Sequence, residues 1–296
     1  MRSSLPRILV TGGTGLLGGA VLARAAGSSG LSATWHTHAP RPKPAGVDWR
    51  RVDLRTGAEF EDALREAAPG VVLHTAASIA SEDLAPVIIE GSRRAAAAAR
   101  AAGAAFVHLS SDMVFDGVSG PFDEASPLSP ITPYGRAKAA AERAVREAYP
   151  QAVIARCSLL YRLDPPDRSL AGWLGGLARG DGYPLFTDEI RCPAQVGDVA
   201  GALLELARRL APAVPEAGAV PRIVHLVGPH AISRYDFGRL VLAALGTDPD
   251  LATAARSEHL QPPRPRELRL LTRATPAWLL AGLRAPEAVL RPRGGG

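Results

Sequence analysis

The sequence predicts an α/β fold: a doubly wound parallel sheet with a smaller C-terminal lobe. Three observations carry that expectation. Through the first half, short apolar runs alternate with longer alanine-rich stretches of helical period, the pattern of repeated βαβ units. A glycine-rich turn, Thr11-Gly12-Gly13-Thr14-Gly15-Leu16-Leu17-Gly18, joins the first run to the first helical stretch. After Arg156 the alternation stops and proline and glycine become frequent, marking a change of architecture.

Taken in order, strands are expected at Arg7–Thr11, Ala33–His36, Val71–Thr75, Ala105–Ser110 and Ala152–Arg156. Helices between them are expected at about Gly15–Ala26, Ala58–Ala67, Pro86–Ala102 and Pro133–Ala148. Such strands joined by right-handed crossovers wind a sheet in both directions. Three further helices fit near Ala171–Ala178, Asp198–Ala211 and Ser233–Leu245, and one more sheet strand at Ile223–Val227. Thr247–Thr275, rich in proline and arginine, is expected to run extended over the surface, and Arg291–Gly296 to fray.

Composition narrows the function. A chain of 296 residues, 47% hydrophobic and 21% charged, can bury a substantial core, which argues against wholesale disorder. The 34 basic residues are scattered among 29 acidic ones without a stripe of like charge, so nucleic acid is not an expected partner. Cys157 and Cys192 are too few for a disulfide framework and lack metal-ligand spacing; both are expected to be reduced and structural. The apolar stretch after Arg2 and Arg7 is interrupted by the glycine turn, and no other stretch reaches the ~18 residues of a membrane span. The expectation is a cytoplasmic chain with no membrane partner. Only two of its basic residues, Lys43 and Lys138, are lysines, so a lysine here calls for a reason.

Gly12, Gly15 and Gly18 follow a strand and open a helix, the setting of a Rossmann-type dinucleotide site. Glycine there permits the tight turn and close backbone approach, and the free N–H groups of the helix start attract phosphates. Thr14 and Leu16 in the turn, and Ala76 and Ala77 after the strand Val71–Thr75, are further candidate contacts. An NAD site usually places an acid about 20 residues on, to bind the ribose 2′-hydroxyl. Here the second strand instead runs into His36-Thr37-His38-Ala39-Pro40-Arg41-Pro42-Lys43. With no acid there, the cations Arg41 and Lys43 favour NADPH and its 2′-phosphate, with NADH the alternative, and His36 is a further candidate cofactor contact. Asp53, followed by Leu54, is placed to accept from the adenine amino group. His74 and His108 lie within apolar strands, whose alternation is expected to keep them out of any common cluster; no metal site is expected.

Thr132-Pro133-Tyr134-Gly135-Arg136-Ala137-Lys138 reads as a capped helix start. Tyr134 and Lys138, four residues apart, share one face, where a cation would draw the phenol pKa down. A compact ammonium beside a tyrosine and ribose hydroxyls explains a lysine where the chain otherwise uses arginine. A third polar group comes from Ser110-Ser111-Asp112 at the end of its strand, with Ser111 favoured and Ser110 the alternative.

With these residues in view, the chain resembles the extended short-chain dehydrogenase/reductases, and more narrowly the dTDP-4-dehydrorhamnose reductase family. The resemblance covers nearly the whole chain. It rests on the glycine turn, Ser110-Ser111-Asp112-Met113-Val114-Phe115-Asp116-Gly117, Pro127-Leu128-Ser129-Pro130, the Tyr134/Lys138 pair, Ile154-Ala155-Arg156, Asp188–Pro193, Gly197-Asp198-Val199-Ala200 and Arg264-Pro265-Arg266. It implies that Tyr134 donates the proton, that Lys138 orients the nicotinamide ribose and lowers the tyrosine pKa, and that Ser111 binds the substrate carbonyl. The implied reaction is reduction of a 4-keto group on a nucleotide-activated deoxysugar held by Ser111, Asp112, Met113 and Leu159. Residues 1–156 and about 188–228 would bind the dinucleotide, and about 157–187 and 229–296 the substrate. A homodimer is compatible with the resemblance. Met113 stands where the family usually has Tyr, Leu159 where rhamnose-pathway reductases have Trp, and Ile88 where a helix Asn is usual. The chain also resembles the regulatory β subunit of methionine adenosyltransferase, an NADP-binding protein not known as a sugar reductase. A sugar-nucleotide epimerase is a third reading.

Overall fold

The computed structural model describes residues 5–41, 43–78, 80–211 and 220–291. Its centre is a seven-stranded parallel sheet. The strands are β1 Ile8–Thr11, β2 Leu31–Trp35, β3 Val47–Arg51, β4 Val71–His74, β5 Ala105–Ser111, β6 Val153–Cys157 and β7 Ile223–Leu226. Their order, β7-β6-β5-β4-β1-β2-β3, is doubly wound, as expected, and places the topological switch between β1 and β4.

Side-chain alternation builds the layers. Ile8, Val10, Val107, Leu109, Val153 and Ala155 pack on one face with α1 (Leu16–Arg24) and α6 (Val196–Leu210). Leu9, Val72, Phe106 and Ile154 face the other way, against α2 (Ala58–Ala67), α3 (Ser92–Ala101) and α4 (Pro133–Ala148). With successive side chains on opposite faces, continuous apolar runs suit strands buried on both. A separate apolar cluster forms the smaller lobe: Tyr161, Trp173 on α5 (Arg168–Arg179), Leu185, and Phe237, Val241 and Leu242 on α7 (Arg234–Ala244).

Three expectations need correction. β3 was not expected, because Val47-Asp48-Trp49-Arg50-Arg51 is an edge strand whose polar residues face outward, leaving only Val47 and Trp49 packed on the core. The single helix expected over Pro86–Ala102 begins instead as a wider-wound segment, Leu84–Gly91, before α3; Pro86, within it, lacks a backbone donor. The stretch Thr247–Thr275 does not merely cross the surface. Leu268 and Leu270 are buried with Phe115 and Phe122, and Glu124 accepts from the backbone N–H groups of Arg273, Ala274 and Thr275. The end of the chain from Pro292, expected to fray, lies outside the described residues.

α4 is fixed to the sheet by a buried ion pair. Arg156 on β6 donates from Nε and Nη2 to the Glu142 carboxylate at 3.0 and 2.8 Å, both side chains no more than 3% exposed. Removing one partner strands the other charge in the core. Glu142→Ala should cost about 3–5 kcal/mol in urea unfolding, and replacing both residues by apolar ones should recover most of it. A loss below about 1 kcal/mol for the single variant would mean that the pair does not hold the helix.

Candidate active site

The candidate dinucleotide end is built around β1, β2 and β4. Gly12 has φ +66°, and a Cβ there would stand 2.7 Å from Ala76 Cα, so only glycine fits this turn. Gly18 lies beneath it; an added Cβ would strike the Gly12 carbonyl oxygen. The crevice between β1 and β4 is tied by Thr75 Oγ1 donating to Thr11 O at 2.6 Å and Ala76 N donating to Thr11 Oγ1 at 3.2 Å.

Above it opens a cleft of about 560 Å³. Of the candidate cofactor residues, Gly12, Thr14, Gly15, Leu16, His36, Asp53, Leu54, Ala76 and Ala77 line it. Arg41 lines an adjoining cavity of about 340 Å³ that shares Thr14 and His38 with the cleft. Lys43 is exposed and lines neither. Arg55, not anticipated, also lines the cleft, where Nε lies 3.0 Å from Asp53 and Nη1 3.6 Å from Asp83. It stands one residue past Leu54, so the sequence held the signal.

Ser111, Tyr134 and Lys138 do not line that cleft; they gather at the carboxyl end of β5. Thr132 caps α4, its Oγ1 accepting from Gly135 N at 3.1 Å, with Pro133 as first helical residue. Gly135 packs so closely on the Met113 carbonyl that a side chain there would collide. Lys138 is 4% exposed and donates from Nζ to Leu109 O at 2.5 Å. Burial pushes its ammonium down to about 8, against the opposing pull of Glu142 and Cys157. The half-buried Tyr134 is pushed up to about 12, first by burial and then by the negative charge of Asp112. The lowering expected from Lys138 is not seen in the phenol.

The two candidate serines differ in side-chain direction. Ser110 faces α4 and donates to Glu142 Oε1 at 2.5 Å, whereas Ser111 points the other way, donating to Asp112 Oδ1 at 3.1 Å and accepting from Met113 N at 3.2 Å. Asp112 is buried and also accepts from Ser158 Oγ at 2.7 Å, with Arg191 Nε at 3.9 Å. Arg191 Nη2 reaches Met113 Sδ at 4.0 Å. Beside it stand Arg264, whose Nε lies 2.7 Å from Glu189, and Arg234, whose pKa is lowered by burial despite the charge of Glu189. Leu159 packs at the edge of the smaller lobe's cluster. Ser158, Arg191 and Arg234 were not anticipated, because nothing local marks them out from ordinary loop, strand and helix residues.

Contrary to expectation, His74 and His108 are neighbours: they sit opposite one another on β4 and β5, their rings stacked 5.6 Å apart. His74 is satisfied, Nδ1 meeting Thr11 Oγ1 at 3.0 Å and Nε2 meeting Ser92 Oγ at 3.1 Å. His108 is fully buried, and neither ring nitrogen has a partner among the described residues. No group of three or more His, Cys, Asp or Glu among the described residues could hold a metal. Cys157 and Cys192 are free and buried.

A family model described as the RmlD substrate binding domain matches residues 6–287. The chain belongs to this family. A probable low-salt glycan biosynthesis reductase of Haloferax volcanii is 36% identical over 169 residues, 55% of this chain and 53% of the relative. A dTDP-4-dehydrorhamnose reductase of Mycobacterium tuberculosis is 31% identical over 199 residues, 65% of this chain and 62% of the relative. The chain thus spans between half and two-thirds of the length of these RmlD-like relatives. The crystal structure of the Bacillus anthracis dTDP-4-dehydrorhamnose reductase in complex with NADP has the same fold, with a TM-score of 0.73 over 98% of both chains at 18% identity. No helix among the described residues is long and apolar enough to cross a membrane.

The two histidines make opposite predictions for this RmlD-family core. Burial lowers His74 to about 3 and His108 well below 6.5, so as pH falls below 6.5 the unfolded chain takes up protons that the folded one refuses. Stability present above that pH is therefore lost on acidification. His108→Leu should flatten this loss and leave stability at pH 7 equal or higher, since no hydrogen bond is removed. His74→Leu removes the ring that the Thr11 and Ser92 hydroxyls meet, leaving Thr11 only Ala76 N, and should cost about 1–3 kcal/mol. Urea midpoints at pH 7 and pH 5 decide the matter, and equal losses for the two variants would refute it.

Proposed function

We propose that the protein is an NADP(H)-dependent reductase of a 4-keto group on a nucleotide-activated deoxysugar. The observation that carries the reading is the placement of Tyr134 and Lys138 on successive turns of α4, over the end of β5 where Ser111 projects. The dinucleotide fits the residues present: the turn at Gly12 and Gly18 leaves no room for side chains, Gly15 and Leu16 at the start of α1 line the cleft, and Arg41 lines the adjoining cavity, which shares Thr14 and His38 with it. When bound, NADPH supplies hydride from C4 of its nicotinamide.

The chain's own residues do the rest. The glycine turn binds the pyrophosphate and Arg41 the 2′-phosphate, whose charge suits a guanidinium with no partner among the described residues. Ser111 turns its hydroxyl from Asp112 to the substrate carbonyl oxygen, while Ser158 and Arg191 continue to hold Asp112. Tyr134, protonated throughout the neutral range because its pKa is raised, gives its proton to that oxygen. Lys138, anchored by one N–H at Leu109 O, keeps the others for ribose hydroxyls. Ile88, buried against Ala137 and Ala141, occupies the place of the usual asparagine, so proton return to Tyr134 does not pass through an amide there. Arg191, Arg234 and Arg264 around Glu189 suit an anionic substrate such as a nucleotide diphosphate. In this reading, residues 1–156 and about 188–228 bind the dinucleotide, and the remainder binds the sugar nucleotide.

Anaerobic mixing of the protein with NADPH and a panel of keto-sugar nucleotides should bleach the reduced-nicotinamide absorbance. Tyr134→Phe should slow this by about 10²–10⁴-fold without weakening NADPH binding. Binding of NADPH with no turnover on any keto sugar, and co-purification of a larger partner enzyme, would replace the reductase by the regulatory-subunit reading. Arg41→Ala should weaken NADPH far more than NADH; equal losses in titration would remove Arg41 from the 2′-phosphate site.

A further inference from the structure

The described residues lining the large cleft come from the first 87 positions of the chain, with one exception, Arg168. This arginine opens α5 in the smaller lobe and lines the cleft from there. Its position is set by Asp167, 6% exposed, whose Oδ1 accepts from Ser169 N at 2.9 Å and Leu170 N at 3.2 Å, and whose Oδ2 accepts from Arg162 N at 3.0 Å. The first turn of α5 is thus tied down while the Arg168 side chain remains exposed.

A charge census of the cleft singles this residue out. Arg55 is already matched by Asp53 and Asp83. Arg168 has no carboxylate or hydrogen-bond partner among the described residues. A dinucleotide carries two negative phosphates at its middle, and the glycine turn meets them with N–H groups but no cation. A guanidinium lining the same cleft as that turn can supply the missing charge and bond two phosphate oxygens at once. The diphosphate of a nucleotide sugar offers the same chemistry, yet Ser111, Met113, Arg191, Arg234 and Arg264 are all absent from the residues lining this cleft.

We infer that Arg168 is a cofactor-binding residue that grips the pyrophosphate of the bound dinucleotide and so ties the smaller lobe to the sheet when the cofactor is in place. The inference rests on the dinucleotide reading above. Calorimetric titration of the full chain tests it with NADPH, with 2′-phospho-ADP-ribose, which keeps the pyrophosphate but lacks nicotinamide, with adenosine 2′-monophosphate, which lacks the pyrophosphate, and with dTDP. Arg168→Ala should weaken NADPH and 2′-phospho-ADP-ribose by about tenfold, the worth of one charged hydrogen-bonding group. Arg168→Lys should restore part of that loss, and both variants should bind adenosine 2′-monophosphate and dTDP as the wild type does. An unchanged affinity for 2′-phospho-ADP-ribose, or an equal loss for adenosine 2′-monophosphate, overturns the grip and leaves the cofactor reading intact. A loss confined to dTDP overturns it in favour of the substrate diphosphate. Wild-type protein that binds neither NADPH nor its fragment overturns the cofactor reading and the grip with it.

Discussion

The Glu142 carboxylate sets the geometry on which the candidate active site depends. It accepts two hydrogen bonds from Arg156 on β6 and one from Ser110 on β5, all in the interior. Tyr134, Lys138 and Glu142 are spaced four residues apart and form one stripe along α4. Anchoring the last of them therefore fixes the helix rotation for the other two, and Lys138 falls on the Leu109 carbonyl with Tyr134 a turn nearer the sheet's end. Contact between Gly135 and the Met113 carbonyl sets the closeness of approach. A buried ion pair is weak evidence for stability, since desolvation offsets most of the attraction, but here it specifies one register of helix on sheet.

The same arginine extends the constraint to the end of the chain. Arg156 lies over the Phe115 ring at 5.2 Å and reaches the Glu124 carbonyl and His225 Nε2, each at 3.4 Å. Glu124 in turn collects the N–H groups of Arg273, Ala274 and Thr275 and the Thr275 hydroxyl. A segment that reads as proline- and arginine-rich surface is thereby bound into the interior, because its backbone donors find a buried carboxylate and Leu268 and Leu270 find an aromatic pair. These contacts join residues about 150 positions apart and leave no periodic mark in the sequence.

Elements with strong local periodicity were legible. Thr132 and Pro133 announce the start of α4, and the glycines at 12, 15 and 18 announce the turn between β1 and α1. β3 was not, since an edge strand with three exposed polar residues has neither a buried run nor clean apolar alternation. Of the candidate site, Lys138 drew attention by its rarity, whereas the different directions of Ser110, toward Glu142, and Ser111 became visible only with the pleat of β5. The stacked histidines escaped because alternation within each strand places a residue on a face but says nothing about which strands lie side by side.

The sequence by itself determined the doubly wound architecture, the glycine turn and the tyrosine–lysine spacing, because each depends on residues a few positions apart and on backbone geometry that their side chains dictate locally. Only the tertiary structure decided that Tyr134 and Lys138 are desolvated so that their pKa values move apart, that Arg41 lies beside the cleft while Lys43 does not, and that Arg168 and Arg191 face it and the neighbouring site. Burial and charge proximity are set by groups distant in the chain, and both take their values only when the sheet, its helices and the smaller lobe are packed together.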